Sequence, residues 1–206
     1  MTSPADNIIP LYQQNSAFWD SQRNGAQGDS PRCEVPWLER FLAQLPANGH
    51  ILDIGCGTGE PIAGYFIRQG FNVTGIDGAP AQIARCRERF PQQRWLVNDM
   101  RTLDLGTRFD GIIAWDSFFH LSQADQRKMF AVFLALAADR AALMFTSGPD
   151  QGEAIGEFCG KPLFHASLSP TEYINLLHQH QFSVVEHRVE DPECGFHTVW
   201  LAVRGA

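Results

Sequence analysis

Several absences narrow this sequence before any motif is read. Its 206 residues contain no stretch approaching about 18 consecutive apolar residues, so no membrane-spanning helix is expected. The start, MTSPADNIIP, has no basic region followed by an apolar core, so no secretory leader is read there. Basic side chains are scarce: 16 Lys and Arg stand against 23 Asp and Glu, a net charge of −7. A nucleic-acid backbone is gripped by a basic face that displaces condensed counterions, and no run here would build one. Arg85, Arg87 and Arg89 read as a solvated helix face. The five cysteines, at 33, 56, 86, 159 and 194, are odd in number and contain no C-x-x-C pair. That spacing argues against a disulfide framework and a four-ligand zinc module. His178 and His180 stand two apart in an expected helix and face different sides, so no metal is expected there. A reducing, cytoplasmic setting without nucleic-acid or membrane partners is the expectation; the oligomeric state stays open.

What is present suits one domain. Apolar residues make up 44% and include 15 Phe and 5 Trp, enough for a sizeable core. Residues 1–35 are polar, with Gly25, Gly28 and Pro31 marking irregular backbone and Tyr12, Phe18 and Trp19 standing out. Residues 36–206 hold the regular pattern, after a first helix over 36–45. Short apolar runs at 50–54, 72–76, 94–97, 109–115 and 141–146 read as strands, with helices at 60–69, at 79–90 and from Ser122 onward. Pro61 in a first turn and Gly70 just past an end bracket one helix; Pro91 stops another. The run at 109–115 hardly alternates, as in a strand buried on both faces. Residues 148–160 are Gly-rich and read as a loop, and Ser169-Pro170-Thr171-Glu172 is a complete helix start. Two β-rich runs, 183–189 and 198–203, close the chain with no helix between them, so they should pair antiparallel. The expected fold class is α/β: a Rossmann-like, doubly wound, mostly parallel seven-stranded sheet with an antiparallel last strand.

The strongest local signal is Ile51-Leu52-Asp53-Ile54-Gly55-Cys56-Gly57-Thr58-Gly59-Glu60. A buried strand runs into glycines at every second position and then directly into a helix. Glycine turns tightly and lets a ligand approach backbone that a Cβ would shield. Dinucleotide sites use G-x-G-x-x-G with a pyrophosphate at the helix start. Here the spacing is G-x-G-x-G, with Asp53 before the turn and Glu60 after it. Acids there would repel a pyrophosphate and suit a guest bearing an ammonium and a sulfonium. Asp77-Gly78 ends the second strand, where a carboxylate can accept ribose hydroxyls, a feature shared with NAD sites. Asp99 follows the third strand, placed to accept from an adenine amino group with Met100 against the ring. Asp77 alone could simply cap a turn; three acids after three successive strands point to a ligand.

With these residues the sequence resembles class I methyltransferases, and the likeness covers about residues 36–206. Asp53-Ile54-Gly55-Cys56-Gly57-Thr58-Gly59 is similar to the family's first motif, and Phe109-Asp110-Gly111-Ile112-Ile113-Ala114-Trp115 to its fourth-strand motif. The resemblance implies S-adenosyl-L-methionine as cofactor, held by Asp53, Gly55, Cys56, Gly57, Asp77, Gly78, Asp99 and Met100, with Trp115 at the rim. Cys56 is a small residue in a tight turn, with no base spaced to activate it. Asp139-Arg140 stands where the family often has a Pro-Gly-Gly turn.

The segment Trp115-Asp116-Ser117-Phe118-Phe119-His120 leaves the fourth strand at the edge where ligands sit. It lacks the Asn/Asp-Pro-Pro-Tyr/Phe sequence of amino methyltransferases acting on nucleobases or glutamine, which favours a small-molecule acceptor. His120 is the candidate general base, against a purely structural role as a cap or backbone partner. His165 and His197, each beside apolar residues, are candidate substrate contacts; the alternative is a bulged hairpin turn at 191–196 and a surface histidine. Tyr12, Trp19 and Arg23 could belong to an N-terminal lid over the cofactor, with Trp19 and Arg23 touching substrate. An NAD-dependent oxidoreductase, a non-enzymatic cofactor-binding protein and a nucleic-acid methyltransferase are the competing readings.

Overall fold

Alternation of short apolar strands with amphipathic helices builds a central sheet covered on both faces. In the computed structural model, which describes residues 3–24 and 33–205, seven strands take the order β3-β2-β1-β4-β5-β9-β8. These are β1 (His50–Ile54), β2 (Asn72–Asp77), β3 (Arg94–Val97), β4 (Phe109–Ala114), β5 (Ala137–Ser147), β8 (Phe182–Asp191) and β9 (His197–Arg204). The pairs from β3 to β5 are parallel; β9 runs antiparallel to both β5 and β8. With no crossover helix between β8 and β9, the last strand turns back and inserts beside β5. The strand order reverses at β1, so the loops after β1 and β4 part there and leave a crevice at the carboxyl edge.

Successive residues of β1 face opposite sides. Ile51 packs with Trp37, Phe41 and Phe66 of α3 (Val35–Leu42) and α4 (Ile62–Arg68), joined by Ile83 of α5 (Pro80–Arg89). Leu52 and Ile54 pack with Phe130 and Phe133 of α6 (Gln123–Leu136) and Tyr173 of α7 (Pro170–Gln179). Two hydroxyl caps set helix starts: Ser122 Oγ accepts from the Asp125 amide and Ser169 Oγ from the Glu172 amide, each at 3.2 Å.

Three stretches differ from expectation. Residues 8–24, read as irregular, form α1 (Ile8–Gln14) and α2 (Ser16–Asn24); Gly25, Gly28 and Pro31 lie outside the described residues. The Gly-rich stretch after β5 holds β6 (Gly152–Phe158), which pairs with β7 (Lys161–Ser167) as a separate two-stranded ribbon. Most of β6 faces solvent, so it carries no alternation to read. Asp139 and Arg140 lie within β5, where Arg140 takes a φ of +64°. No helix of the described residues is long and apolar enough to cross a membrane.

Buried polar groups knit the far end of the sheet. The Tyr173 hydroxyl donates to Gln126 Oε1 at 2.6 Å and accepts from the Leu168 amide at 3.1 Å. Tyr173→Phe leaves both groups unpaired in the interior and should destabilise the fold by about 1–3 kcal/mol, read as a lower urea midpoint at unchanged m-value. An unchanged midpoint would mean that water replaces the hydroxyl.

Candidate active site

The turn after β1 is shaped by what it must avoid. Gly55 and Gly57 have φ of +76° and +55°, and a Cβ on Gly55 would collide with Ser117. Ser117 is pinned by its hydroxyl, which donates to the Ile54 carbonyl at 2.6 Å. Beside them opens a crevice, continuous with solvent and lined by Gly55, Gly57, Asp77, Gly78, Asp99 and Met100 among others.

Its electrostatics are set by buried acids. Asp77 accepts from the Gly57 amide at 3.0 Å and from the Ala79 amide at 2.8 Å. Burial outweighs those bonds and pushes its carboxyl up to about 6. Asp53 sits deeper, 2% exposed, and its Oδ2 has no hydrogen-bond partner among the described residues. Burial, with Asp77 nearby, raises it to about 7. The turn amide at Gly57 thus serves a carboxylate, while Asp53 Oδ2 stays without a hydrogen-bond partner among the described residues. Glu60 does not frame the turn as its position suggested: it binds Arg68 at 2.7 Å and lies back against Gly64. Asp99 also differs, since both its oxygens are taken by the Arg101 guanidinium, at 2.6 Å for the shortest bond. Arg101 reaches onward to Asp6 at 2.8 Å, fastening the N-terminal segment to the crevice wall.

At the other end, helices α1 and α2 cover the opening. Ile9 packs against Gly78, Tyr12 and Trp19 meet edge to face with centroids 5.3 Å apart, and both rings contact Phe158 of β6. His120 is buried. Its Nδ1 lies 2.8 Å from the Phe164 carbonyl, which can only accept, so Nδ1 carries the proton. Nε2 then accepts from the Tyr12 hydroxyl at 3.2 Å. Burial lowers His120 to about 4, keeping it neutral at pH 7. His165 stacks on His120 at 5.0 Å, out on β7.

Asp116, at a φ of +49°, lines the crevice and binds His197 Nε2 at 2.9 Å, with Arg23 at 3.7 Å. Burial opposes its charge, but His197 and Arg23 hold the carboxyl below the usual range. Six of the candidate site residues, Asp53, Cys56, Trp115, Arg23, His165 and His197, stand behind the lining rather than in it. Trp115 lies against the His197 ring, and its indole N–H is unpaired among the described residues. Asp116 and Arg101 were missed as site residues. Asp116 lay inside a segment already flagged; for Arg101 only its place beside Asp99-Met100 gave any signal.

A family model described as a methyltransferase domain matches residues 51–139, from β1 into the start of β5. Over that stretch the chain is similar to methyltransferase domains. Among its relatives, YqeM of Bacillus subtilis, which bears a provisional methyltransferase name, is 32% identical over 54% of this chain and 44% of its own length. The chain spans about half the length of the curated relatives it matches. Among solved structures, CalS10, an amino pentose methyltransferase from Micromonospora echinaspora with S-adenosylmethionine bound, aligns over 91% of this chain and 96% of its own, at 21% identity and a TM-score of 0.71. The 1,6-didemethyltoxoflavin-N1-methyltransferase of Burkholderia thailandensis, with 1,6-didemethyltoxoflavin and S-adenosylhomocysteine bound, aligns over 100% and 92%, at 22% identity and a TM-score of 0.68. At these identities the likeness is one of fold.

The protein should carry a pH signature of its buried acids. Asp53 and Asp77 have folded values of about 7 and about 6, above the ordinary 3.8. The folded state therefore holds more protons than the unfolded chain between those limits, and stability falls as pH rises from about 4 to about 7. Asp53→Asn should flatten that fall and raise the urea midpoint at pH 8 in ligand-free protein. Parallel pH profiles for wild type and variant would contradict the assignment.

Proposed function

We propose that this chain transfers a methyl group from S-adenosyl-L-methionine to a small-molecule acceptor. Asp53 carries the reading: a buried carboxylate oxygen without a partner among the described residues, beside a glycine turn whose amide is already engaged, fits an ammonium and opposes a pyrophosphate. The bound cofactor would supply an electrophilic methyl on its sulfonium. Asp53 would take the ammonium, and Gly55, Cys56 and Gly57 would leave room for the methionine portion. A carboxylate has about four lone-pair sites, so Asp77 can still accept ribose hydroxyls beside its two amide bonds. Gly78, Met100 and the Asp99–Arg101 pair would flank the adenine, with Trp115 behind the rim. Structures of this fold that hold S-adenosylmethionine or S-adenosylhomocysteine support the choice of cofactor.

On the acceptor side, His120 Nε2 is the basic atom at the crevice. We assign it to receive the acceptor's X–H in place of the Tyr12 hydroxyl, holding the nucleophile in line and taking its proton. Residues 1–35 would act as the lid, with Trp19 against the acceptor and Arg23 acting through Asp116. His165 would back His120, and His197 would orient Asp116. The acidic balance, −7 overall, favours a small acceptor over a nucleic acid, and five free thiols favour a cytoplasmic setting.

Calorimetry should detect S-adenosylhomocysteine binding and none of NADH. Asp77→Ala should weaken that binding by about 1.5–3 kcal/mol for each hydrogen bond lost; tight NADH binding, or full affinity in a folded Asp77→Ala, would overturn the reading. His120→Gln should lower kcat by roughly 10²–10⁴ while sparing cofactor affinity. Because His120 loses its proton near pH 4, its function is complete at neutral pH and lost only as pH falls through about 4. A rate limb near the ordinary histidine value of about 6.5 that persists in His120→Gln at unchanged kcat would rule His120 out as the base.

A further inference from the structure

Two cysteines that no sequence motif connects, 161 positions apart, meet in the fold beside a histidine. We propose that Cys33, Cys194 and His197 form a binding site for one soft divalent cation of the zinc class, through two thiolates and one imidazole nitrogen.

The three ligand atoms all lie within 4.8 Å of one another, a span that a cation with bonds of about 2.0–2.3 Å closes with small side-chain adjustments. The site joins two distant parts of the chain. Cys33 precedes α3, Cys194 ends the short 3-10 turn Pro192–Cys194, and His197 opens β9. The two segments are riveted by Asp191, which accepts from the Trp37 indole at 2.8 Å and caps the turn through the Glu193 amide at 3.1 Å. Gly195, at a φ of +58°, keeps the approach between them clear: the point where its Cβ would stand lies 3.5 Å from Cys33 Sγ and 3.6 Å from His197 Nδ1. So Nδ1 is the nitrogen on the sulfur side.

The far side of that imidazole argues for a metal over a chance cluster. Nε2 lies 2.9 Å from Asp116 Oδ1, and a carboxylate behind a histidine is the partner that fixes the ring and strengthens its other nitrogen as a ligand. Nδ1 now gives its proton to the Cys194 carbonyl at 2.6 Å. Loading replaces that proton and the two thiol protons with the cation, and all three leave to solvent. Three protein ligands leave a fourth position for water. Through Asp116 the site reaches the crevice wall, and through Cys33 it fastens the chain that follows the N-terminal helices.

The test uses the full chain, stripped with a chelator, kept reduced with a phosphine and titrated with Co²⁺ alone. One equivalent should give thiolate-to-cobalt charge-transfer absorption in the near ultraviolet, displaced by Zn²⁺, which binds such sites more tightly than cobalt. Cys33→Ser and Cys194→Ser should each lose the band. His197→Ala should weaken binding by about tenfold or more, and Cys159→Ser should keep the signal unchanged. Should a variant fail to fold, iodoacetamide labelling of wild type replaces it: Zn²⁺ should protect Cys33, which is half-buried, while exposed Cys159 reacts. No band, a band that survives Cys33→Ser, or equal labelling with and without Zn²⁺ would overturn the site. So would native protein containing a Cys33–Cys194 disulfide and no bound zinc.

Discussion

A carboxylate taken into the interior without enough donors sets the terms for this molecule. The register that places Asp53 beside Gly75 brings Asp77 to the end of the next strand, so two acids share one buried corner. Asp77 draws the amides of both flanking turns onto itself. Asp53 keeps an unsatisfied oxygen, the feature that a purely structural aspartate would not retain. The glycines, the pinned Ser117 and the covering helices are arranged around that corner. The fold tolerates such charge by shifting both carboxyls toward the neutral form, Asp53 to about 7 and Asp77 to about 6.

Much of this was legible because the backbone itself demands it. A buried strand, a turn with positive φ and a helix start leave their mark in residue type, and Ile51 to Gly59 carries all three. The closing strands were readable from the missing crossover alone. The β6–β7 ribbon was not: with both sides of β6 wet, nothing selects an alternating pattern, and its glycines look like a loop. The first two helices were hidden in a polar segment, where Ile8 and Leu11 alone mark the buried side of α1.

The site residues divide along the same line. Gly55, Gly57, Asp53 and Asp77 lie within a few positions of one another or at strand ends, so spacing locates them. Asp99 lines the crevice, but its partner was not foreseen, because Arg101 competes for the same oxygens and nothing in the order of residues foretells where a flexible guanidinium will lie. Asp116 depends on a left-handed backbone that no neighbouring glycine announces. The meeting of Cys33, Cys194 and His197 is a product of topology: β9 had to insert next to β5 before these side chains could approach each other.

Arg101 spans a boundary, holding Asp99 in the wall with one part of its guanidinium and Asp6 with another. The covering helices therefore hang partly from an ion pair about a third exposed to water, while the floor beneath them is held by apolar packing and ladder bonds. Dissolved electrolyte weakens the first kind of contact and barely touches the second. The mouth of the crevice is thus the region that answers most to ionic strength.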